Sequence, residues 1–366
     1  MPHLVVDITG HGFGHAGQTA PVIEALRRRH QDLRVTVRSR VPPAQLDQLF
    51  APGIELATPA PDLGLAMHSP VAVDVATSRA WYERMSDTWE ETVDREALAL
   101  AALRPDLVIS NVGFLCLAAA ARCGLPAIAM SSLNWADIVE GYGAAPATMI
   151  ERMRETYRSA AAFILLSPHL PTTWAPSRVS VGPVGRLGTA RREEIAAASS
   201  LDPAKLWAVV SFGGIPMGDL ATRLPALPFV EWLVDIADVA GTTSIRHLDV
   251  PFIDLLASAD LVLTKTGYGL FVEPAAHGLH VLYRPRPDWP EAPYLEGWLR
   301  DLKVGTPLPD DRADLERLLG TLPRRSAPRP LLHGIEEAAR LVEAKLYERA
   351  AVTDALPTLK RSRGGS

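Results

Sequence analysis

The stretch Gly10-His11-Gly12-Phe13-Gly14-His15 stands between an apolar run at residues 4–8 and a helix-patterned run at residues 19–26. Glycines permit a sharp strand-to-helix turn and leave N–H groups at the head of the helix, where the dipole favours negative charge. Strand, glycine turn and helix in that order form the opening unit of an open α/β sheet, which binds ligands at the carboxyl edge of its strands. His15 falls at the mouth of the helix. An imidazole there is suited to take a proton from an acceptor hydroxyl. The plainer alternative is a tight turn in which His15 only caps the helix.

Outward from this stretch, short apolar runs alternate with amphipathic ones, the pattern of parallel strands covered by helices. Residues 35–37, 107–110, 127–130 and 163–166 read as further strands, and 21–29, 115–122 and 150–160 as helices. The pattern restarts with strands at 208–211, 261–264 and 281–283 and helices at 255–258, 270–277 and 294–299. Between the halves, residues 171–203 are rich in Pro, Ser, Thr and Ala and read as a linker with a short helix at 191–198. The expected division is a first domain at 1–178, a second at 179–332, a closing helix at 333–350 and a flexible tail at 351–366.

A chain of 366 residues exceeds one ordinary hydrophobic core, which agrees with two domains. Hydrophobic residues make up 48% and charged residues 22%, so a folded enzyme-sized protein is expected rather than a disordered one. Lys and Arg number 37 against 42 Asp and Glu, a net charge of -5 that gives no general attraction to nucleic acid or to an anionic membrane. No stretch has the length and apolarity of a membrane span or a leader, so a cytoplasmic location without membrane insertion is expected. Cys116 and Cys123 fall seven apart on one helix face and are expected as a buried, reduced pair. Neither Cys-x-x-Cys, His-Glu-x-x-His nor Asp-x-Asp occurs, and His68, His169, His247, His277, His280 and His333 lack ligand spacing. No metal and no cofactor is therefore expected.

The second half repeats the glycine turn. A strand runs into Phe212-Gly213-Gly214, and another into Lys265-Thr266-Gly267-Tyr268-Gly269 just before a helix. Backbone N–H groups at Thr266, Gly267, Tyr268 and Gly269 are placed to hold a diphosphate, with Lys265 adding charge. Glu273, one turn into that helix, is placed to bind ribose hydroxyls.

Taken together, His11-Gly12-Phe13-Gly14-His15, Leu133-Asn134-Trp135-Ala136-Asp137, Gly182-Pro183-Val184-Gly185-Arg186, Lys265-Thr266-Gly267-Tyr268-Gly269 with Glu273, and Pro293-Tyr294-Leu295 resemble the glycosyltransferase-like half of plant-type L-arabinokinases and their stand-alone bacterial relatives. The likeness runs from about residue 5 to residue 299, and the kinase half is absent. More distantly, both glycine loops are similar to those of peptidoglycan N-acetylglucosaminyltransferases of the MurG type. The resemblance implies a GT-B fold, two Rossmann-like domains facing across a cleft, with the acceptor on the first and a nucleotide-sugar donor on the second. It implies His15 as the base, Gly213 and Gly214 as the donor loop and Glu273 as the ribose-binding acid. Residues 286–291 stand where that fold usually carries an Asp-Gln or Glu-Gln pair on the donor sugar; the pair is missing, and Glu291 or Asp288 is the substitute.

The expected reaction is inverting, metal-independent transfer of a sugar from a nucleotide donor, a UDP-sugar by expectation, to a hydroxyl-bearing acceptor. Gly12, Gly14, Asp7, Asn111, Asn134, Trp135 and Tyr142 are expected on the acceptor side; for Asn111 and Asn134 turn capping, and for Trp135 core packing, are the structural alternatives. Three other functions stay open. The first is a nucleotide-sugar hydrolase or epimerase that uses the same site. Gly12-Phe13-Gly14-His15-Ala16-Gly17 also fits the dinucleotide fingerprint, with Arg38, Ser39 and Arg40 where an NADP oxidoreductase reads a 2′-phosphate. The third is a sugar-nucleotide sensor without chemistry.

Overall fold

Two parallel sheets hold most of the described strands. The computed structural model describes residues 1–11, 13–69, 71–212, 224–235, 240–322, 325, 326, 329 and 331–354, with side chains as far as residue 348. The strands, in chain order, are β1 (His3–Ile8), β2 (Arg34–Ser39), β3 (Glu55–Ala57), β4 (Met67–Ser69), β5 (Ala72–Val73), β6 (Leu107–Asn111), β7 (Ala127–Ser131), β8 (Ala162–Leu166), β9 (Arg178–Val181), β10 (Leu206–Val210), β11 (Val230–Val234), β12 (Thr243–Ser244), β13 (Leu261–Lys265), β14 (His280–Arg284) and β15 (Gly305–Pro307). The first sheet has the order β3-β2-β1-β6-β7-β8-β9 and the second β12-β11-β10-β13-β14-β15, while β4 and β5 form a small antiparallel pair.

In each sheet the order reverses beside its first strand, between β1 and β6 and between β10 and β13. Crevices at such reversals, beyond the carboxyl ends of the strands, are where open α/β sheets hold ligands. The first opens onto the turn after β1, which carries His11 and His15, and onto Asn111 at the end of β6. The second opens at the carboxyl ends of β10 and β13.

The central strands are apolar along their whole length because helices cover both faces; β1, β6, β7, β8 and β10 are buried throughout. One apolar cluster joins Ile8, Ala16 and Ala20 of the first half to Tyr268, Phe271 and Val272 of the second and to Ala338 and Val342 of the closing helix, Gly334–Asp354. That helix returns to the first lobe, where Glu336 and Glu343 pair with Arg29 and Glu343 also with His30. Residues 355–366, most of the expected tail, lie outside the described residues.

The expected linker at 171–203 is structured. β9 lies within it and pairs in parallel with β8, so the first sheet runs to Val181. Its pattern was hidden because an edge strand leaves Arg178, Val179 and Ser180 exposed and buries only Val181. Cys116 and Cys123 are both free thiols, but only Cys116 is buried; Cys123 caps the end of its helix and is partly exposed.

Candidate functional site

Phe13 caps the helix Gly14–Arg29, and His15 is its second residue, only 6% exposed, with its ring turned into the first lobe. His15 Nδ1 lies 2.8 Å from Asn111 Oδ1. The opposite end of that amide is fixed, since Asn111 Nδ2 donates to Thr19 Oγ1 at 2.9 Å, Gln18 Oε1 at 3.2 Å and the His15 carbonyl at 3.3 Å. With the amide so oriented, Nδ1 must donate to Oδ1, and Nε2 keeps the lone pair a general base needs. Burial pushes the His15 pKa down, with the Asn111 hydrogen bond opposing, so the imidazole is neutral.

Trp135 forms the wall behind this histidine. Its ring is fully buried, 5.9 Å from that of His15, and its Nε1 donates to Thr9 Oγ1 at 3.4 Å. The same indole meets His11 edge-on at 5.1 Å between centroids. His11 also lies parallel to Trp289 at 6.4 Å. Trp289 comes from the second half, yet it packs in the apolar cluster of the first lobe. The segment 286–291 thus docks onto the first lobe. Tyr142 Oη donates to Asp288 Oδ2 at 2.6 Å, and a Cβ on Gly141 would stand 2.6 Å from Pro290, so the helix end must be glycine for the two to approach so closely.

Cations converge here from the second lobe. Arg286 is 4% exposed, its guanidinium sits 4.3 Å over the Trp289 ring, and its Nε and Nη2 have no hydrogen-bond partner. Nε and Nη2 are the edge of the fork that grips a phosphate or carboxylate with two bonds. Burial and the neighbouring Arg286 charge push Lys265, at the end of β13, down to about 8. Burial, then the charges of His15, Lys265 and Arg286, push His11 down to about 3. Next to them the helix Gly269–Ala276 begins with no side-chain cap. A Cβ on Gly269, or on Gly14 across the cleft, would meet nothing within 4 Å.

Glu291 is 3% exposed, accepts from Trp289 Nε1 at 3.1 Å and has its second oxygen, Oε1, without a partner; burial raises its pKa. It is the carboxylate of the 286–291 segment that remains available, because Asp288 is held by Tyr142.

Other expected residues are committed to the protein itself. Both oxygens of Glu273, 5% exposed, face Arg186: Oε1 accepts from the Arg186 amide at 3.1 Å and Nε at 2.9 Å, and Oε2 from Nη2 at 3.3 Å. The Thr266 amide donates to the Arg284 carbonyl and its hydroxyl to Glu296, so the Thr266 amide is not available to the expected diphosphate. Tyr268 ties the lobes together, donating to the Ser167 carbonyl and accepting from the Val184 amide. Asn134 caps the helix Trp135–Gly141, accepting from the Asp137 amide and donating to Asp137 and Thr172. Gly267 lies in the turn between Lys265 and the helix. Gly12, Gly213 and Gly214 lie outside the described residues.

Arg38 cannot read a 2′-phosphate. It is buried, donates to Glu96 at 2.7 Å and to the Thr58 carbonyl at 2.8 Å, and lies 3.6 Å from Asp7. Asp7 is therefore part of this internal group rather than an acceptor contact; burial lifts it to about 6. Two residues that the sequence did not single out as ligand contacts, His11 and Arg286, turn out to be central to the cleft. His11 could have been found from its place in the same glycine turn as His15. Among the described residues no group of three or more His, Cys, Asp or Glu is arranged to hold a metal ion.

No family model matches the chain. It is 24% identical over 385 residues to L-arabinokinase of Arabidopsis thaliana, a match covering 99% of this chain and 36% of that protein. The chain thus spans about a third of the length of the curated relative it matches. Among solved structures it is similar to a UDP-glucosyltransferase from Polygonum tinctorium (TM-score 0.59, 15% identity, 97% of this chain and 99% of that one). It is also similar to a calicheamicin glycosyltransferase (TM-score 0.58, 18% identity, 98% and 100%) and to a putative UDP-N-acetylglucosamine 2-epimerase from Listeria monocytogenes (TM-score 0.52, 14% identity, 97% and 98%). The fold is GT-B, two Rossmann-like halves. Among the described residues no helix is long and apolar enough to cross a membrane.

Proposed function

We propose that this chain is a glycosyltransferase that moves a sugar, with inversion, from a nucleoside-diphosphate donor to a hydroxyl-bearing acceptor. The observation that carries this reading is the meeting across one cleft of a histidine locked as a base with a buried arginine whose Nε–Nη2 edge has no hydrogen-bond partner. His15 offers Nε2 because Asn111 holds Nδ1. Opposite, Arg286 presents an unpartnered fork beside Lys265 and an uncapped helix head. A diphosphate seated there gains charge as its bond to the sugar breaks, and fixed cations and amide dipoles stabilise that charge. The acceptor oxygen attacks the anomeric carbon from the other face, the anomeric C–O bond to the diphosphate breaks, and Nε2 of His15 takes the acceptor proton.

Lys265, Gly267, Gly269 and Arg286 hold the diphosphate, and Glu291 Oε1 holds hydroxyls of the sugar. A UDP-sugar is the proposed donor, in line with the UDP-glucosyltransferase from Polygonum tinctorium and the putative UDP-N-acetylglucosamine 2-epimerase from Listeria monocytogenes that share the fold. Transfer to water is the second reading, favoured by how little of His15 is exposed. Thermal-shift screening of UDP-, GDP- and ADP-sugars, followed by assay of diphosphate release with and without sugar and phenol acceptors, tests both. Release that needs an acceptor supports transfer; equal release without one supports hydrolysis. No stabilisation by any nucleotide counts against both, because a ligand that binds the native state must raise its melting point.

A further inference from the structure

We propose that His11 is a second catalytic imidazole, which takes up a proton from solvent as the donor binds and contacts the departing diphosphate; this rests on the glycosyl-transfer reading above. The geometry comes first. His11 is clamped between the lobes, edge-on to Trp135 of the first and parallel to Trp289 of the second. It is the described side chain of the glycine turn that reaches the segment bearing Arg286. The groups facing it are cationic or neutral: His15 from its own turn and helix, Lys265 from the end of β13, Arg286 from the segment after β14, and the Leu65 carbonyl. Of the carboxylates in that last segment, Asp288 is held by Tyr142 and Glu291 accepts from Trp289.

In the empty cleft this environment keeps the ring neutral, with its pKa pushed down to about 3 by burial first and then by its charged and titratable neighbours His15, Lys265 and Arg286. A donor diphosphate brings two negative charges into the same space. One charge about 4 Å away in a partly buried site moves a pKa by about three units. The dianion therefore both offsets Lys265 and Arg286 and brings His11 into the neutral range. The steps balance. Solvent supplies one proton to His11 on donor binding. When the anomeric C–O bond breaks, that proton passes to a β-phosphate oxygen and His11 returns to neutral. The acceptor's proton goes separately to His15 and is released with the products.

The test is isothermal titration of the full chain with UDP, GDP and ADP at pH 6.5, in buffers of different ionisation enthalpy, which counts protons taken up per nucleotide bound. Wild type is expected to take up more than about half a proton per site. His15→Gln should retain that uptake and His11→Gln should lose it, with the turnover of His11→Gln down about a hundredfold and KM much less changed. His11→Phe, which keeps a ring between the two indoles, serves if the glutamine variant unfolds. On wild type, the 15N shifts of the His11 ring should move to those of an imidazolium on adding UDP. Tight binding without uptake, or uptake that survives removal of His11, overturns the inference and leaves glycosyl transfer standing. No binding of any of the three nucleotides overturns both.

Discussion

Replacing Asn111 with Leu separates the positioning of His15 from its presence. The side chain is close in size to asparagine, so the change removes hydrogen bonds with little change in packing. The loss is one bond to His15 Nδ1 and three from Nδ2. These do not cost equally. Thr19 Oγ1 still donates to the His15 carbonyl at 2.8 Å, and Gln18 Nε2 still donates to Ser132 at 2.8 Å. His15 Nδ1 alone becomes a buried donor without an acceptor, at about 1–3 kcal/mol, and the remaining bonds add roughly 1 kcal/mol. A total of about 2–4 kcal/mol should be visible in urea denaturation as a lower midpoint with an unchanged slope. The chemical effect is larger, because a ring free to exchange tautomers no longer keeps its lone pair on Nε2; turnover should fall by about 10²–10⁴. The direct assay is the 15N–1H spectrum of labelled histidine, with the His15 signals assigned by loss in His15→Gln. Wild type should show the Nδ1–H tautomer, and Asn111→Leu a mixture or the other form. A wild-type spectrum with the proton on Nε2 would refute the reasoning, since His15 would then be a donor toward the cleft and not a base.

Asp62 is 5% exposed with both carboxylate oxygens unpartnered beside Asp7, and burial holds its pKa well above the ordinary 3.8. The folded protein therefore binds the proton more tightly than the unfolded one, and the penalty grows as pH rises above 3.8 toward the folded value. Asp7, lifted to about 6, sets the scale at roughly 3 kcal/mol. Asp62→Asn should raise stability more at pH 8 than at pH 5, and chemical denaturation at the two pH values checks the sign. Arg186→Met leaves the buried Glu273 carboxylate without its charged partner and should cost about 3–5 kcal/mol, whereas the double change with Glu273→Gln recovers much of it; a double-mutant cycle by denaturation measures the coupling. Gly141→Val places side-chain atoms where Pro290 packs. It should lower stability by about 1–3 kcal/mol and weaken nucleotide binding by displacing Arg286, while the His15 tautomer stays as in wild type.

Strands β1, β6, β10 and β13 were legible because each is a buried apolar run leading into a glycine turn, a signal local to some ten residues. Helices Val75–Asp87 and Trp89–Leu103 were not. The first buries only Ser78, Tyr82 and Met85 along its length, too few to mark a face. The second places Thr92 and Glu96 on its buried face, where the periodicity calls for apolar residues, because Glu96 is there to meet the buried Arg38. The same limit applied within the cleft. His15 could be read from its turn, but the occupation of Glu273 by Arg186, and of Asp288 by Tyr142, depends on residues far apart in sequence. The segment 286–291 was legible only as the absence of an expected pair. Arg286 appears as a ligand group only once its Nε–Nη2 edge is seen to lack an acceptor.

The identity of the partner of His15 carries a further consequence for order of binding. Asn111 fixes a tautomer but brings no charge, so an imidazolium formed on His15 finds no anion in its own lobe to balance it. Burial already disfavours that charge, and Glu291 across the cleft is itself held by burial toward its neutral form. On the proposed reading the missing counter-charge is the donor's diphosphate. An acceptor or water molecule reaching His15 in the empty cleft thus meets a base that burial has weakened, and the base is strengthened when the donor is seated. Initial-rate kinetics should then show ordered binding with the nucleotide-sugar first, and UDP as an inhibitor competitive with the donor but not with the acceptor. Random order, with acceptor binding equally tight in the absence of nucleotide and deprotonated there, would mean that some other group supplies the charge.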